Sequence, residues 1–128
     1  MALLIDTHLA LWAAYEPARL PERARALISD PDQTVYLSAV SLWEIAIKSD
    51  RHPALLPVDL PALHAGFLAH GWTDLPITAA HAIGVKGLPA LHSDPFDRML
   101  FSQARAEGAR LLTSDTLLAR YGPPAELV

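Results

Sequence analysis

Four carboxylates in this sequence stand where apolar segments break off: Asp6, Glu44, Asp97 and Asp115. A fold that drew them together would hold like charges at close range, and such charges need a cation. Carboxylates and water suit Mg²⁺ or Mn²⁺ rather than zinc. Two such ions about 3.5–4 Å apart can hydrolyse a phosphodiester in line, one activating water and the other steadying the leaving 3′ oxygen, with no nucleophilic side chain. Each acid also has a plainer use. Asp6 and Asp115 suit helix N-caps. Asp94 caps a third helix, with Pro95 at its first position and Asp97 at its third, where a negative charge favours the positive helix end. Glu44 precedes Lys48 by one turn, the spacing of a surface ion pair worth about 0.3–0.5 kcal/mol. Against that reading, large apolar residues flank Glu44 on both sides, which sets it beside the core and facing a cleft.

The elements that must position these acids alternate. Ala2–Ile5 is a short continuous apolar run, read as a buried strand, with Asp6 at its C-terminal end. Residues 7–15 and 21–29 read as helices, and Asp30-Pro31-Asp32 as a turn. Residues 35–37 form a second strand. Ser38 or Ser41 caps a helix carrying Leu42, Trp43, Ile45 and Ile47. Residues 50–57, with Pro53 and Pro57, are a loop. Residues 60–70 are a helix broken by Gly71. Leu75-Pro76-Ile77 is an edge strand, because Pro76 cannot donate to a ladder. Residues 78–85 form a short helix and 87–93 a loop. The helix opened by Asp94 ends at Gly108. Residues 110–113 form a strand with Ser114 and Asp115 at its end, 116–121 a last helix, and 125–128 a last short strand. Repeated βα alternation predicts an α/β fold with a parallel sheet and helices on both faces. In such sheets ligands bind at the C-terminal strand edge, where strand ends meet helix starts. Asp6, Asp97 and Asp115 can therefore converge.

With 128 residues and no linker, repeat or low-complexity stretch, a single domain spanning 1–128 is expected. The hydrophobic share of 52% exceeds that of an ordinary soluble domain and points to a partner or a homo-oligomer. No apolar run approaches the roughly 20 residues of a membrane span. The opening Met-Ala-Leu-Leu-Ile-Asp lacks a basic start and is too short for a signal peptide. Without cysteine there is no disulfide framework and no thiolate zinc site. The expectation is a cytoplasmic protein. The net charge of −4 argues against a nucleic-acid binder only at first sight. Of the 14 acids, setting the four candidates aside leaves 10, equal to the 10 Lys and Arg. Bound divalent metal would then make the site itself attractive to phosphate.

Other chemistries fit less well. No Gly-x-Gly-x-x-Gly, phosphate loop or Gly-x-Ser-x-Gly elbow occurs. The six histidines show no HExxH or HxH spacing and read as surface or core-edge residues, with His8 and His92 set apart by closeness to the acids. Trp12, Trp43 and Trp72 read as core.

Leu3-Leu-Ile-Asp6-Thr-His, Ser41-Leu-Trp-Glu44-Ile-Ala-Ile-Lys48, Asp94-Pro-Phe-Asp97-Arg-Met-Leu and Leu112-Thr-Ser-Asp115 together resemble the PIN-domain ribonucleases, and among them the VapC-type toxins of prokaryotic toxin–antitoxin pairs. The four motifs come in the family's order and span nearly the whole chain. The resemblance implies an α/β/α sandwich with a mostly parallel central sheet and a Mg²⁺- or Mn²⁺-dependent endoribonuclease. It makes Asp6 and Asp97 the principal metal ligands, with Glu44 and Asp115 completing the site. Asp94 is a supporting residue. Thr7, Thr113 and Ser114 orient carboxylates, and Lys48, Arg51 and Arg98 are candidates for RNA phosphate. It also implies a homodimer and a cognate antitoxin partner.

Three other readings compete. A receiver-like signalling module would share the length, the βα alternation and an acid after the first strand, but it wants paired acids there and a late lysine. Here Thr7 and His8 follow Asp6, and no lysine follows Lys86. An aspartyl-nucleophile phosphatase wants a second Asp where His8 stands. A PIN-like fold that only binds partners would not need all four acids.

Overall fold

The order of elements follows from where apolar runs end and caps begin. The computed structural model describes residues 1–128. Strand β1 (Ala2–Ile5) leads into α1 (Thr7–Tyr15), a 3₁₀ turn (Pro17–Arg19) and α2 (Glu22–Ser29). Then come β2 (Thr34–Ser38), α3 (Ala39–Arg51), α4 (Leu60–Ala69), β3 (Thr73–Leu75), α5 (Ala79–Gly84), α6 (Pro95–Glu107), β4 (Arg110–Thr113), α7 (Thr116–Ala119) and β5 (Ala125–Leu127). The five strands form one sheet in the order β3-β2-β1-β4-β5, and every pairing is parallel.

Alternation along the central strands divides the core between the two faces. Leu3 and Ile5 of β1, Val35 and Leu37 of β2 and Leu112 of β4 pack with Leu9, Ala24, Leu63 and Phe67 from α1, α2 and α4. Leu4 of β1 and Leu111 of β4 point the other way, against Leu100, Phe101 and Ala104 of α6 and Leu118 of α7. Leu3, Leu4 and Ile5 are wholly buried, which is why β1 is apolar without interruption; each contributes roughly 1.5–3 kcal/mol by leaving water.

Several boundaries differ from the sequence expectation for physical reasons. Pro21 lies outside α2 as its N-cap residue, with extended ψ of 143°. Helix α3 runs on to Arg51, because nothing stops it before Pro53. Strand β3 is Thr73–Leu75 and ends before Pro76, whose missing N–H cannot continue the ladder. Of the two candidate caps for α3, Ser38 does the work, accepting from Val40 N at 3.0 Å. Gly108 closes α6 in the left-handed region (φ 65°), and Ala109 N reaches back to Ala104 O at 2.9 Å. Gly84 brings α5 close to α6, where a Cβ would stand 2.6 Å from Ser102 Oγ. Trp43 is 56% exposed, contrary to its expected place in the core, and packs edge-on against Phe96 with ring centroids 5.1 Å apart. His81 is the opposite surprise, a histidine fully buried by partners at both nitrogens: Thr78 N donates to Nδ1 at 3.0 Å, and Nε2 lies 3.0 Å from Glu107.

The strand order fixes where a crevice must open. From β1 the chain moves outward to β2 and β3, then returns through α6 to β4 on β1's other side. The helix after β1 covers one face, with Leu9 in its core, and the helix after β4 covers the other, with Leu118. The two connections part at the C-terminal ends of β1 and β4, which is the ligand-binding position of an open parallel sheet.

Candidate metal centre

Asp6 and Thr113 face each other across that crevice. Asp6 N continues the β1–β4 ladder to Leu112 O at 3.1 Å. Its carboxylate divides its labour: Oδ1 caps α1 through Leu9 N at 2.8 Å, while Oδ2 accepts the Thr113 hydroxyl at 2.5 Å. Thr113 Oγ1 in turn accepts from Asp115 N at 2.9 Å, so one hydroxyl ties the two strand ends together. The Ser114 backbone N–H also favours the Asp6 carboxylate. Burial nevertheless dominates and raises the Asp6 pKa, against the hydrogen bonds from Thr113, Leu9 and Ser114 and the pull of His8.

Asp115 uses its oxygens in the same way. Oδ1 caps α7, accepting from Leu117 N at 2.8 Å and Leu118 N at 3.3 Å, and Oδ2 lies 3.3 Å from His92 Nε2. Asp94 Oδ1 caps α6 through Phe96 N at 2.8 Å and Asp97 N at 3.3 Å. Capping and site-building are thus not alternatives for Asp6 and Asp115, since each oxygen of the carboxylate does one of them.

Asp97 projects from the first turn of α6 and is 14% exposed. Its Oδ2 lies 2.7 Å from His92 Nε2, and its Oδ1 has no hydrogen-bond partner within the protein. Its pKa is pushed up to about 6, first by burial, then by the charge of Asp94, with Asp6 and Glu44 adding to the rise and the His92 hydrogen bond opposing it. The smaller contributions from Asp6 and Glu44 mean that acids from β1 and α3 lie close enough to Asp97 for their charges to act on it.

Glu44 reaches the cluster from the middle of α3 and is 2% exposed. Thr7 donates its hydroxyl to Glu44 Oε1 at 2.7 Å, and Ser41 Oγ lies 3.0 Å from the same hydroxyl. Lys48, one turn on, pairs with Glu44 Oε2. The expected i,i+4 pair is present, but its acid is buried rather than on the surface.

The basic candidates separate. Lys48 is committed to Glu44 and 47% exposed. Arg51 is exposed at the end of α3. Arg98 is turned to structural work: Nη1 donates to Pro89 O at 3.0 Å and Tyr121 Oη at 2.9 Å, and Nη2 to Leu88 O at 3.4 Å. His92, which the sequence set apart only for its closeness to the acids, lies against the candidate site. Its only signal was position, two residues before Asp94 and five before Asp97. One ligand atom each from His92, Asp94 and Asp97 lies within 4.8 Å of the others.

The one set whose ligand atoms lie within 4.8 Å of one another is His92, Asp94 and Asp97; Asp6, Glu44 and Asp115 lie outside it, Asp6 and Glu44 acting on Asp97 through their charge and Asp115 reaching His92 at 3.3 Å. Only Glu44 has a lysine to balance it, and Asp97 keeps one oxygen without a partner, so the oxygen-rich donors suit a hard divalent cation. A groove of about 670 Å³ lies elsewhere, at the far end of α1, between Ala14, Ile28, Leu63, Phe67 and Trp72.

The chain is similar to known proteins along its whole length. It is 29% identical to Ribonuclease VapC22 of Mycobacterium tuberculosis over 123 residues, 95% of this chain and 93% of that protein. Its fold matches the crystal structure of VapBC2 from Rickettsia felis bound to a DNA fragment from their promoter, with a TM-score of 0.73 at 18% identity, covering 100% of this chain and 98% of that one. It also matches VapBC-1 from nontypeable Haemophilus influenzae, with a TM-score of 0.65 at 13% identity and coverage of 100% and 97%. Residues 3–123, carrying all four acids, match the PIN domain model, and the chain belongs to the PIN domain family.

Proposed function

We propose that this protein is a VapC-type ribonuclease, the toxin of a type II toxin–antitoxin pair, and that it hydrolyses RNA phosphodiesters with Mg²⁺ or Mn²⁺. The observation that carries the reading is the gathering of Asp6, Glu44 and Asp97, from three separate stretches of chain, into one electrostatically coupled group at the sheet's switch point, with Asp115 joined through Thr113 and His92. The likeness to a mycobacterial ribonuclease over nearly the full length supports the substrate class.

In this reading Asp6 and Asp97 are the principal ligands, and Glu44 and Asp115 complete the site. When bound, the metal supplies Lewis acidity for in-line hydrolysis. The chain's own residues do the rest. Thr113 aims Asp6, Thr7 aims Glu44, and the Ser114 N–H favours the ionised form of Asp6. Asp94 fixes the first turn of α6 and so the direction of Asp97. Arg51 at the end of α3 is the side chain offered to the RNA backbone, while Lys48, one turn before it, is held by Glu44. The function resides in a single domain, 1–128.

A cognate antitoxin and a second copy of the chain are the proposed protein partners. The apolar groove beside α1, α2 and α4 suits an apolar segment of an antitoxin, and exposed Trp43 and Ile83 supply apolar surface for a homodimer. The working place is the cytoplasm; no helix is long and apolar enough to cross a membrane.

The test is cleavage of a mixed small-RNA pool by purified protein with Mg²⁺, Mn²⁺ or EDTA, beside Asp97→Asn. Cuts that need metal and fall at least about 10³-fold in the variant are expected. Undiminished cutting by Asp97→Asn overturns the site. No cutting together with no metal binding by calorimetry favours a non-catalytic binding module.

A further inference from the structure

The geometry points to His92 as a nitrogen ligand of the metal, making this a mixed nitrogen–oxygen centre that prefers Mn²⁺ to Mg²⁺. This rests on the metal-nuclease reading and refines its cofactor. The imidazole is 10% exposed, and its polar contacts are all to the candidate site: Nε2 lies 2.7 Å from Asp97 Oδ2 and 3.3 Å from Asp115 Oδ2. Neighbouring ligands on an octahedral ion with the 2.0–2.1 Å bonds of Mg²⁺ stand about 2.8–3.0 Å apart, and the somewhat longer bonds of Mn²⁺ widen this slightly, so the two spacings bracket the distance a shared ion requires. The ring is in nobody else's service. Asp115 caps α7 with its other oxygen, and Asp97 is capped for rather than capping. Nδ1 makes no hydrogen bond within the protein, which leaves it free to carry the ring proton while Nε2 offers its lone pair.

The partner chosen at each acid is informative. Glu44 is matched by the ammonium of Lys48, which can balance charge but cannot ligate. Asp97 is matched by an imidazole, which can do both. Both ions take oxygen ligands readily, but Mn²⁺, a first-row transition ion, accepts an imidazole nitrogen better than Mg²⁺, which holds to oxygen and water.

The test uses the full chain loaded with Mn²⁺. Pulsed electron paramagnetic resonance of the wild type is expected to show nitrogen-14 coupling from a bound imidazole, absent in His92→Gln. Calorimetric titration is expected to give His92→Gln a loss of at least about 10-fold in Mn²⁺ affinity, with Mg²⁺ affinity changed by less than about threefold. Mn²⁺ bound without nitrogen coupling overturns this inference and leaves the nuclease reading standing. Equal losses for both ions reduce His92 to a residue that positions Asp97, and overturn it too. A wild type that binds neither ion overturns both readings. Should His92→Gln fail to fold, the spectrum of the wild type alone decides.

Discussion

Glu44, buried on α3, and Asp97, partly buried on α6, are carboxylates at the same sheet edge, and the fold treats them differently. Glu44 has a hydroxyl on one oxygen and an ammonium on the other, so its charge is balanced before any ion arrives. Asp97 has three acids acting on it, a histidine on one oxygen and no protein partner on the other. The first is a carboxylate whose two oxygens both have partners in the fold. The second is one whose charge the protein has left for something else to balance. In the metal-nuclease reading proposed above, a cation at Asp97 would balance that charge.

Removing a charge should therefore act with opposite sign at the two places in metal-free protein. Lys48→Met leaves a buried carboxylate with only Thr7 for company. Breaking such a pair costs 3–5 kcal/mol when both partners are buried, and the half-exposed lysine reduces this to about 1–2 kcal/mol. Asp97→Asn removes an unbalanced charge and should leave the EDTA-treated protein as stable as the wild type or more so. Urea midpoints of the two variants decide it. Destabilisation by both would erase the distinction between the two acids.

The sequence made one half of this contrast legible and hid the other. The i,i+4 spacing of Glu44 and Lys48 announced their pair, and the apolar neighbours announced burial, yet the burial of the pair as a unit needed Thr7 and Ser41 from elsewhere to be seen. The caps were readable because they are local: Asp6, Asp94 and Asp115 each sit one residue before a helix. That Asp6 and Asp115 are tied together through the Thr113 hydroxyl depends on β4 lying beside β1, a long-range pairing that no window of sequence contains. Strand β1 was the easiest element, since total burial leaves an unbroken apolar run. Trp43 and His81 were the hardest, because residue type alone put both on the wrong side of the surface. Arg98 looked like a phosphate ligand by its place beside Asp97, but on a helix the next residue points about 100° away, here toward Leu88, Pro89 and Tyr121.

The pH dependence sharpens the same comparison. The folded Asp97 holds its proton up to about pH 6, whereas an unfolded aspartate loses it near 3.8. Between these values the folded state binds more protons, so stability contributed by this group falls as pH rises from about 4 to 6 and stays lost above. The shift sets a ceiling of about 3 kcal/mol. Other carboxylates titrate in the same window, so the informative quantity is the wild-type minus Asp97→Asn difference in unfolding free energy with EDTA. That difference should favour the variant increasingly from pH 4 to pH 6 and then level. Metal affinity should fall below about pH 6 for the same reason, as protons compete for Asp97. A difference flat across the window would mean that Asp97 is no more strained than an exposed acid.

The smallest effects separate the two arginines, and they carry the contrast from the acids to the side chains proposed to meet RNA. Arg98 gives its guanidinium to two backbone carbonyls and a tyrosine hydroxyl, holding residues 88–89 against the end of α7. Arg98→Ala should cost about 1 kcal/mol of stability, since charge-assisted bonds are worth more than neutral ones but these are partly solvated. Arg51 is exposed and has nothing to lose, so Arg51→Ala should shift stability by less than about 0.5 kcal/mol. If Arg51 meets a phosphate, the same change should lower the salt dependence of RNA binding by about 0.7 in slope, the value for one contact to a single strand. Arg98→Ala, compared at a temperature where both variants are folded, should leave that slope alone. A slope that drops in Arg98→Ala instead would mean that its guanidinium exchanges carbonyls for phosphate when RNA arrives, and the loop it releases would then belong to the substrate surface.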